Sequence, residues 1–419
     1  MAIVHFQPEF RPALPCVFGA KDYCEFRAVL IEMDRILEES GGELALIRRK
    51  IDAYEKPFDP RQLPRHIKTL RLALRYSILL AISGLSYRDL ACRIADSHLF
   101  QWFTHTGFID AVRPVSKSTI ERFEKLFDAD EIASLIHELN AAAANAADAR
   151  KLLCRNAALE MNRIFADTTC VKADIRFPVD WVLLRDATRT LIQAIILIRG
   201  QGLKHRIRPP EEFIRQMNRL CIEMTHTRKK KDAKKARKKI FRRMKTLMKT
   251  IEGHARNYRA ELIIHRKQLE WSKREIWAVL KRIKNILSQL PAAIHQAHER
   301  IIGERRVGNA DKILSLYDPD VHVIVRGKAG AEVEFGNGLY LAEQADGLIV
   351  DWDFMKDQPC ADTDLVAPSL ERLTENYGTP ASYTTDRGFD SAANRAELEA
   401  AEIYNGISPR SVPALEERL

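Results

Sequence analysis

The sequence lacks long apolar runs, an amino-terminal leader and closely spaced cysteines. Its longest purely apolar stretches, such as 194–198, are far too short to span a bilayer. The first ten residues contain no basic segment followed by an apolar one, so we predict no signal peptide. The seven cysteines are dispersed and form no C-x-x-C pair, which argues against a disulfide framework or a zinc site. We therefore expect a cytoplasmic protein with reduced thiols and no membrane contact.

What the sequence does have is the composition of a globular protein long enough for two or three domains. Of its 419 residues, 46% are hydrophobic and 30% are charged, which is typical of folded domains. Changes in pattern along the chain predict four regions. These are an extension over 1–60, a helical domain over 61–155, an α/β core over 156–202 and 306–419, and a helical insertion over 203–305.

The α/β core is predicted from strand and helix signals that alternate along the chain. A β-rich run covers 163–171, and strand signals resume at 321–325, 331–335 and 339–352. A helix, a strand, a second helix and a last strand follow. Glycines at 336 and 338 predict a break between the strand signals at 331–335 and 339–352. This order indicates a mixed sheet that carries a helical insertion.

The net charge of +10 is concentrated in one part of the insertion. Residues 228–249 contain thirteen Lys or Arg and one acid, Asp232, so they carry +12 and the rest of the chain sums to −2. Apolar residues recur there every three or four positions, which predicts a helical hairpin or coiled coil with a basic face that contacts DNA phosphates. A merely solvated face is the alternative. The residues expected to bind DNA are Arg228, Lys229, Lys230, Lys231, Lys234, Lys235, Arg237, Lys238 and Lys239.

A second candidate DNA contact lies in the predicted helical domain. A helix is predicted to begin near Ser116, where Ser116 or Ser118 is a suitable N-cap and Ser118 with Glu121 fits a capping box. Hydroxyls and a cation in the first turn of a helix suit contacts to DNA. The expected contacts are Lys117, Ser118 and Arg122. An ordinary capped helix in a bundle has the same pattern, so both interpretations stay open.

Two acids stand out by their position at predicted strands. Asp167 lies within or at the end of the 163–171 run, and Asp386 ends a strand in the last part of the chain. If the two strands are neighbours, both carboxylates lie at the carboxyl edge of the sheet, where functional groups of α/β sheets gather. Converging carboxylates favour Mg²⁺ or Mn²⁺, and two such ions suit phosphoryl transfer. The alternative is that each Asp is an ordinary turn residue.

Several stretches resemble the bacterial insertion-sequence DDE transposases. Residues 165–169 (FADTT) and 384–389 (TTDRGF) are similar to the first and second acid motifs of that family. Residues 82–123 are similar to its amino-terminal DNA-binding domain. Further similar segments are 177–187, 327–328, 333–336 and 341–349. The combination of these stretches is specific for that family, whereas no single motif is.

The resemblance implies an RNase H-like mixed sheet with a long helical insertion, preceded by an all-α DNA-binding domain. Asp167 and Asp386 would be catalytic ligands of two Mg²⁺ or Mn²⁺ ions. The partner would be double-stranded DNA, namely the terminal repeats of the element and its target. The reaction would be cleavage at the element ends, followed by attack of the freed 3′-hydroxyl on the target. A homodimer that bridges two DNA ends is also implied by the family.

The sequence departs from the family pattern at the third acid, which the resemblance puts as a Glu on a helix well beyond the second Asp. Leu419 lies only 33 residues after Asp386, and Glu416 and Glu417 lie too close to the last predicted strand to match that Glu. We therefore expect a chain that binds DNA but cuts it poorly. Two alternatives stay open: a non-catalytic DNA-binding transposase remnant, and an RNase H-like nuclease of another kind.

Overall fold

The computed structural model describes residues 11, 13–54, 59, 61–107, 111–145, 148, 158–175, 179–227, 231–328, 331–357 and 360–410, with the side chains of all but 326–328 and 331–332. Over this part of the chain the fold is mixed α/β, as predicted, with a six-stranded mixed sheet. The chain divides into two compact units. Unit 1 comprises 1–167, 341–351 and 363–419, and unit 2 comprises 168–340 and 352–362.

The described part of unit 1 begins with helices that share one apolar core. They are α1 (Lys21–Glu39), α2 (Gly42–Asp52), α3 (Leu63–Ser83), α4 (Tyr87–Asp96), α5 (His98–Thr104), α6 (Lys117–Phe123) and α7 (Ala129–Ala144). Each helix turns its apolar stripe inward, so that Leu30 of α1 and Leu70 of α3 are completely buried. Gly84 ends α3 in the left-handed conformation, and Ser86 caps α4 by accepting a hydrogen bond from the Asp89 backbone.

Buried charges connect three of these helices around Arg75 of α3, whose side chain has no exposed surface. Its guanidinium donates to Glu43 of α2 at 2.8 and 3.1 Å, to the Phe103 carbonyl at 2.9 Å, and to Asp34 of α1. Arg11 donates to both carboxylate oxygens of Asp34, each at 2.9 Å. Buried ions are tolerated only when they are paired and hydrogen-bonded, so this network fixes α1, α2 and α3 relative to one another.

Replacing Arg75 by Met should destabilise unit 1, because the buried carboxylates of Asp34 and Glu43 would each lose one of their cationic partners. We expect the free energy of unfolding to fall by about 3–5 kcal/mol. Arg35→Met is the matched control, since Arg35 pairs with Glu32 and Glu39 on the surface of α1 and should contribute less than about 1 kcal/mol. Urea unfolding followed by circular dichroism measures both variants. Equal losses of stability would contradict the importance of the buried network.

In unit 2, long helices that follow β1 (Arg163–Lys172) pack into a bundle with its own apolar core. They are α8 (Asp180–Gly200), α9 (Pro210–His226), α10 (Ala233–His265) and α11 (Lys273–Ile301). The apolar residues that recur along α10 are buried, as predicted: Ile240, Met244, Leu247 and Ile251. Leu191 and Ile195 of α8 belong to the same core, so all four helices pack together.

The next strands are β2 (His322–Lys328), β3 (Ala331–Gln344) and β4 (Ile349–Met355). The predicted break at Gly336 and Gly338 is wrong, because both glycines lie inside the continuous strand β3. A Cβ atom at Gly336 would lie 2.1 Å from the carbonyl oxygen of Val171 in β1, and one at Gly338 would lie 2.6 Å from the Met355 sulfur. These glycines therefore permit close approach of neighbouring strands, and the turn comes later, at Gly347.

Gly336→Ala should destabilise the sheet, because the added methyl group would meet the Val171 carbonyl, which cannot move without disturbing β1. We expect a loss of about 2–3 kcal/mol in the free energy of unfolding. Gly253→Ala in α10 is the control, since nothing lies within 4 Å of a Cβ at that position. It should be neutral or stabilise the helix by up to about 1 kcal/mol. Indistinguishable urea midpoints for the two variants would show that the close approach is unimportant.

The last described elements belong to unit 1. They are α12 (Val366–Tyr377), β5 (Ser382–Thr385), α13 (Ala392–Ala400) and β6 (Tyr404–Ile407). β1 pairs in parallel with β5, and β5 pairs in parallel with β6. Ile164, Tyr383 and Ile407 are fully buried on one face of these strands, and the intervening residues face the other way. The order in the sheet is β2-β3-β1-β5-β6, with β4 paired to β3.

One bent pair of the described helices has the length and composition of a membrane-spanning segment. Within the described ranges, no single helix is both long enough and apolar enough to cross a membrane. The helices α3 and α4 reach that length and composition only when joined across a bend of 106°. Leu70, Leu74 and Leu79 of α3 are buried in the core of unit 1.

Candidate functional site

The two predicted catalytic acids lie on adjacent parallel strands of unit 1. The pairing of β1 with β5 runs as far as Ala166, whose partner is Thr385. Asp167 is the next residue of β1, and Asp386 directly follows the last residue of β5, so the two acids are neighbours at the end of this pairing. Partners in a parallel pair point to the same side of the sheet, and neighbouring strands lie about 4.8 Å apart. Both acids are exposed, and Asp386 keeps an extended backbone, so we infer that their carboxylates point to the same face of the sheet.

Asp386 also begins the tight turn that follows β5. Its Oδ1 atom accepts a hydrogen bond from the Gly388 backbone at 2.7 Å, and Arg387–Phe389 form one 3₁₀ turn. Phe389 is fully buried and anchors this turn. The turn role considered as an alternative is therefore present. It is compatible with metal binding, because a carboxylate accepts several contacts through its two oxygens.

Arg410 holds this turn in place, and reasoning from the sequence missed its role. Its guanidinium donates to two carbonyls of the 3₁₀ turn at 3.2 and 3.0 Å. Its backbone N–H donates to the buried carboxylate of Asp390 at 3.0 Å, and Asp390 also pairs with Arg395 of α13 at 3.3 Å. Arg410 thus connects the segment after β6 to the turn after β5. It is a positioning residue for Asp386.

The carboxylates of Asp167 and Asp386 are suitable ligands for a divalent metal ion, but two carboxylates alone do not form a complete metal site. Mg²⁺ and Mn²⁺ prefer carboxylate oxygens, and an exposed strand edge leaves room for water and phosphate. Among the described residues, no third His, Cys, Asp or Glu joins this pair with ligand atoms within 4.8 Å of one another. Glu416 and Glu417, which were considered for the third acid, lie outside the described residues.

A different group, formed by Asp34, Glu38 and His105, does bring three possible metal ligands within 4.8 Å of one another. Arg11 donates to both acids of this group, and Arg75 donates to Asp34. Burial opposes ionisation of Asp34, but the neighbouring His105, whose Nε2 lies 3.8 Å from Oδ1, and the charge of Arg75 hold its pKa well below the ordinary value. A metal ion would have to displace guanidinium groups from this core. We therefore interpret the group as structural.

The predicted DNA contacts at the start of α6 are accessible in part. Lys117 and Arg122 are exposed, whereas Ser118 is half-buried. The predicted capping box of Ser118 and Glu121 is wrong, because Ser116 is the N-cap and Ser118 lies inside the first turn. The hydroxyls of Ser116 and Ser118 instead hydrogen-bond to each other at 3.0 Å. The two exposed cations are accessible to phosphate, but DNA contact here stays a prediction.

Three of the predicted DNA contacts on α10 are held by other parts of the protein. Lys234 and Lys238 bind Glu304 at 2.7 and 2.8 Å. Hydrogen bonds and charge from these two ammonium groups lower the pKa of Glu304 to about 2. Arg237 is half-buried and donates to the Thr227 hydroxyl at 3.0 Å. These side chains are engaged before any DNA binds.

Other cations of α10 form a stripe on the side of the helix opposite its buried residues. This basic stripe consists of exposed residues spaced by four, three and seven positions: Lys235, Lys239, Arg242 and Lys249. None of them forms an ion pair with another described residue, and helical geometry gives the stripe a length of about 21 Å. Of the remaining predicted contacts, one is exposed, Lys231, and three lie outside the described residues, Arg228, Lys229 and Lys230.

Known proteins give no match to this chain: no family model, no curated protein and no solved structure matches it. The function of the chain is therefore inferred from features of its own sequence and structure. They are two exposed carboxylates at the end of the β1–β5 pairing, an arginine that positions one of them, and the basic stripe on a long helix.

The basic stripe predicts that two pairs of lysines on α10 contribute differently to DNA binding. Changing both Lys235 and Lys239 to Gln should weaken binding to duplex DNA and reduce the slope of log affinity against log salt by about 2. Changing both Lys234 and Lys238 to Gln removes the same charge but should reduce the slope much less, because these lysines are held by Glu304. Fluorescence anisotropy at several salt concentrations measures both. Equal slopes for the two double variants would contradict the stripe.

Proposed function

We propose that this chain is a DDE-type transposase that binds the ends of its element and carries out metal-dependent DNA cleavage and strand transfer. The observation that carries the proposal is that Asp167 and Asp386 directly follow the paired residues Ala166 and Thr385 of two adjacent parallel strands. Both acids are exposed, so a substrate as large as a DNA duplex can reach them. The sequence motifs that contain them resemble the acid motifs of bacterial insertion-sequence transposases.

The topology of the sheet supports the finer assignment to an RNase H-like core. β1 lies between β3 and β5, and a helix precedes each of the parallel strands β5 and β6, as parallel connections require. The helices α1–α7 support an all-α amino-terminal domain, for which we propose DNA binding through Lys117 and Arg122. The helices α9–α11, which lie within 203–305, correspond to the long helical insertion of this proposal, and they pack against α8.

The chain's own residues have separable tasks in this reaction. Asp167 and Asp386 would hold two Mg²⁺ or Mn²⁺ ions, which activate the attacking oxygen and stabilise the leaving oxygen in phosphoryl transfer. Arg410 keeps the turn after β5 in place and thereby fixes the direction of Asp386. The basic stripe would bind the DNA backbone and raise the local concentration of substrate.

A second candidate function is DNA binding without cleavage. It is favoured by the basic stripe, which does not depend on the acid pair, and by the lack of a third ligand around that pair among the described residues. Both candidates predict DNA binding. Only the first predicts that Mn²⁺ binds at Asp167 and Asp386 and that DNA is nicked.

The acid pair is tested with a supercoiled plasmid that carries the DNA flanking the coding sequence. Since the third acid is missing from the pattern, we expect weak nicking that requires Mg²⁺ or Mn²⁺ and that is lost in Asp167→Asn and in Asp386→Asn, because each loses a metal ligand. Gel electrophoresis measures the nicking. Titration of Mn²⁺ followed by electron paramagnetic resonance measures metal binding, which should weaken in both variants.

Asp353→Asn is the matched control, because it removes a carboxylate from β4 and should leave nicking and Mn²⁺ binding unchanged. Nicking that survives Asp386→Asn would rule out the proposed metal site. DNA binding together with the absence of both nicking and Mn²⁺ binding in the unaltered chain would favour the second candidate.

A further inference from the structure

The helical bundle of unit 2 carries a second concentration of positive charge, where α10 leads into α11. Residues 266–284 contain seven Lys or Arg and two Glu, a net charge of +5. Glu275 is one of the two acids, and it is engaged in the capping box with Ser272 that begins α11. This end of the hairpin is therefore a site of attraction for a polyanion.

A tryptophan lies on the exposed surface at the centre of this charge. Trp277 of α11 has 64% of its surface exposed, although its neighbours Ile276 and Val279 are buried in the bundle core. The ammonium group of Lys281 lies over its ring, 5.2 Å from the ring centre. Lys284, one turn further, is exposed on the same side of the helix.

The bundle core does not account for the exposed position of Trp277. Trp271, in the connection between the two helices, is half-buried and packs against the bundle core, so one tryptophan of this region has a structural role. Trp277 points away from that core. A large aromatic ring in water loses the free energy that burial would give it. Tryptophan is enriched at binding interfaces, where a partner covers its ring.

We propose that Trp277, Lys281 and Lys284 form a stacking site for single-stranded nucleic acid. Unpaired bases stack on exposed aromatic rings, and lysines beside the ring bind the phosphates that connect those bases. In a duplex the faces of the bases are already stacked on one another, so the ring has no base to cover. The ring and the flanking lysines therefore favour a single strand, whose bases are unpaired, over a duplex.

Two other partners fit this surface less well. A membrane-binding helix presents several large apolar residues along one face, whereas Trp277 is surrounded here by Arg274, Lys281 and Lys284. A second copy of the chain would bring two surfaces of the same positive charge together, and like charges repel.

This site is separate from the basic stripe. The part of α10 between Lys249, the last residue of the stripe, and the helix end at His265 is about 24 Å long by helical geometry. The stacking site lies on the other helix, α11, which begins at Lys273 after that end. Its existence does not depend on the metal proposal, so loss of single-strand binding and loss of nicking are distinguishable results.

The test is binding of a fluorescently labelled short oligothymidylate to the full chain, measured by anisotropy. Trp277→Ala should weaken this binding by about tenfold or more, whereas Trp277→Phe should retain most of it, because a base can stack on either aromatic ring. Binding of a duplex should change less than twofold in Trp277→Ala. Ile222→Ala is the matched control, since Ile222 is 59% exposed on α9 of the same bundle and should have no effect.

Three results would overturn the proposal. One is equal affinity of the unaltered chain and Trp277→Ala for the oligothymidylate, with circular dichroism confirming that both are folded. Another is an equal loss of affinity for single strand and duplex, which would indicate a phosphate contact alone. The third is Trp277-dependent binding to phosphatidylserine vesicles, or Trp277-dependent dimerisation by light scattering, without any effect on the oligonucleotide.

Discussion

The parallel pairing of β1 with β5 is the interaction on which the candidate active site depends. It joins two strands that are far apart in the chain, and burial of Ile164 and Tyr383 on one face sets its register. A slip of one residue would turn one strand's side chains to the opposite face and would separate the carboxylates of Asp167 and Asp386. The chemistry proposed at this edge therefore rests on apolar packing on the other side of the same strands.

Pairing within the protein decides which charges serve structure and which are available to a ligand. Arg75 is completely buried, and its acidic partners lie on neighbouring helices, so it stabilises the fold. On α10 the same distinction operates over a single helical turn. Lys234 and Lys238 bind Glu304, whereas Lys235 and Lys239 face solvent without an ion pair among the described residues. A count of lysines in the sequence cannot separate these two groups, because it contains no information about Glu304.

The features that suggest nucleic-acid chemistry are of three different physical kinds. The carboxylates at the edge of the sheet offer ligands for metal ions, the basic stripe offers exposed charges at helical spacing, and Trp277 offers a ring surface for bases. Phosphates, metal ions and bases are the groups that an enzyme acting on nucleic acid has to contact. Each feature is carried by a different element, so the contribution of each can be measured while the others stay intact.

What the sequence alone determined were features that depend on residues close together in the chain. The apolar repeat of α10 and the strand around Asp167 arise from backbone conformation and periodicity within a few residues. Only the tertiary structure decided the role of Gly336, which looked like a turn but permits the approach of Val171, and that of Arg410, which holds the turn after Asp386. Contacts of this kind join residues that are distant in the chain. They leave no periodic pattern in one sequence, because they depend on which strands and loops pack together.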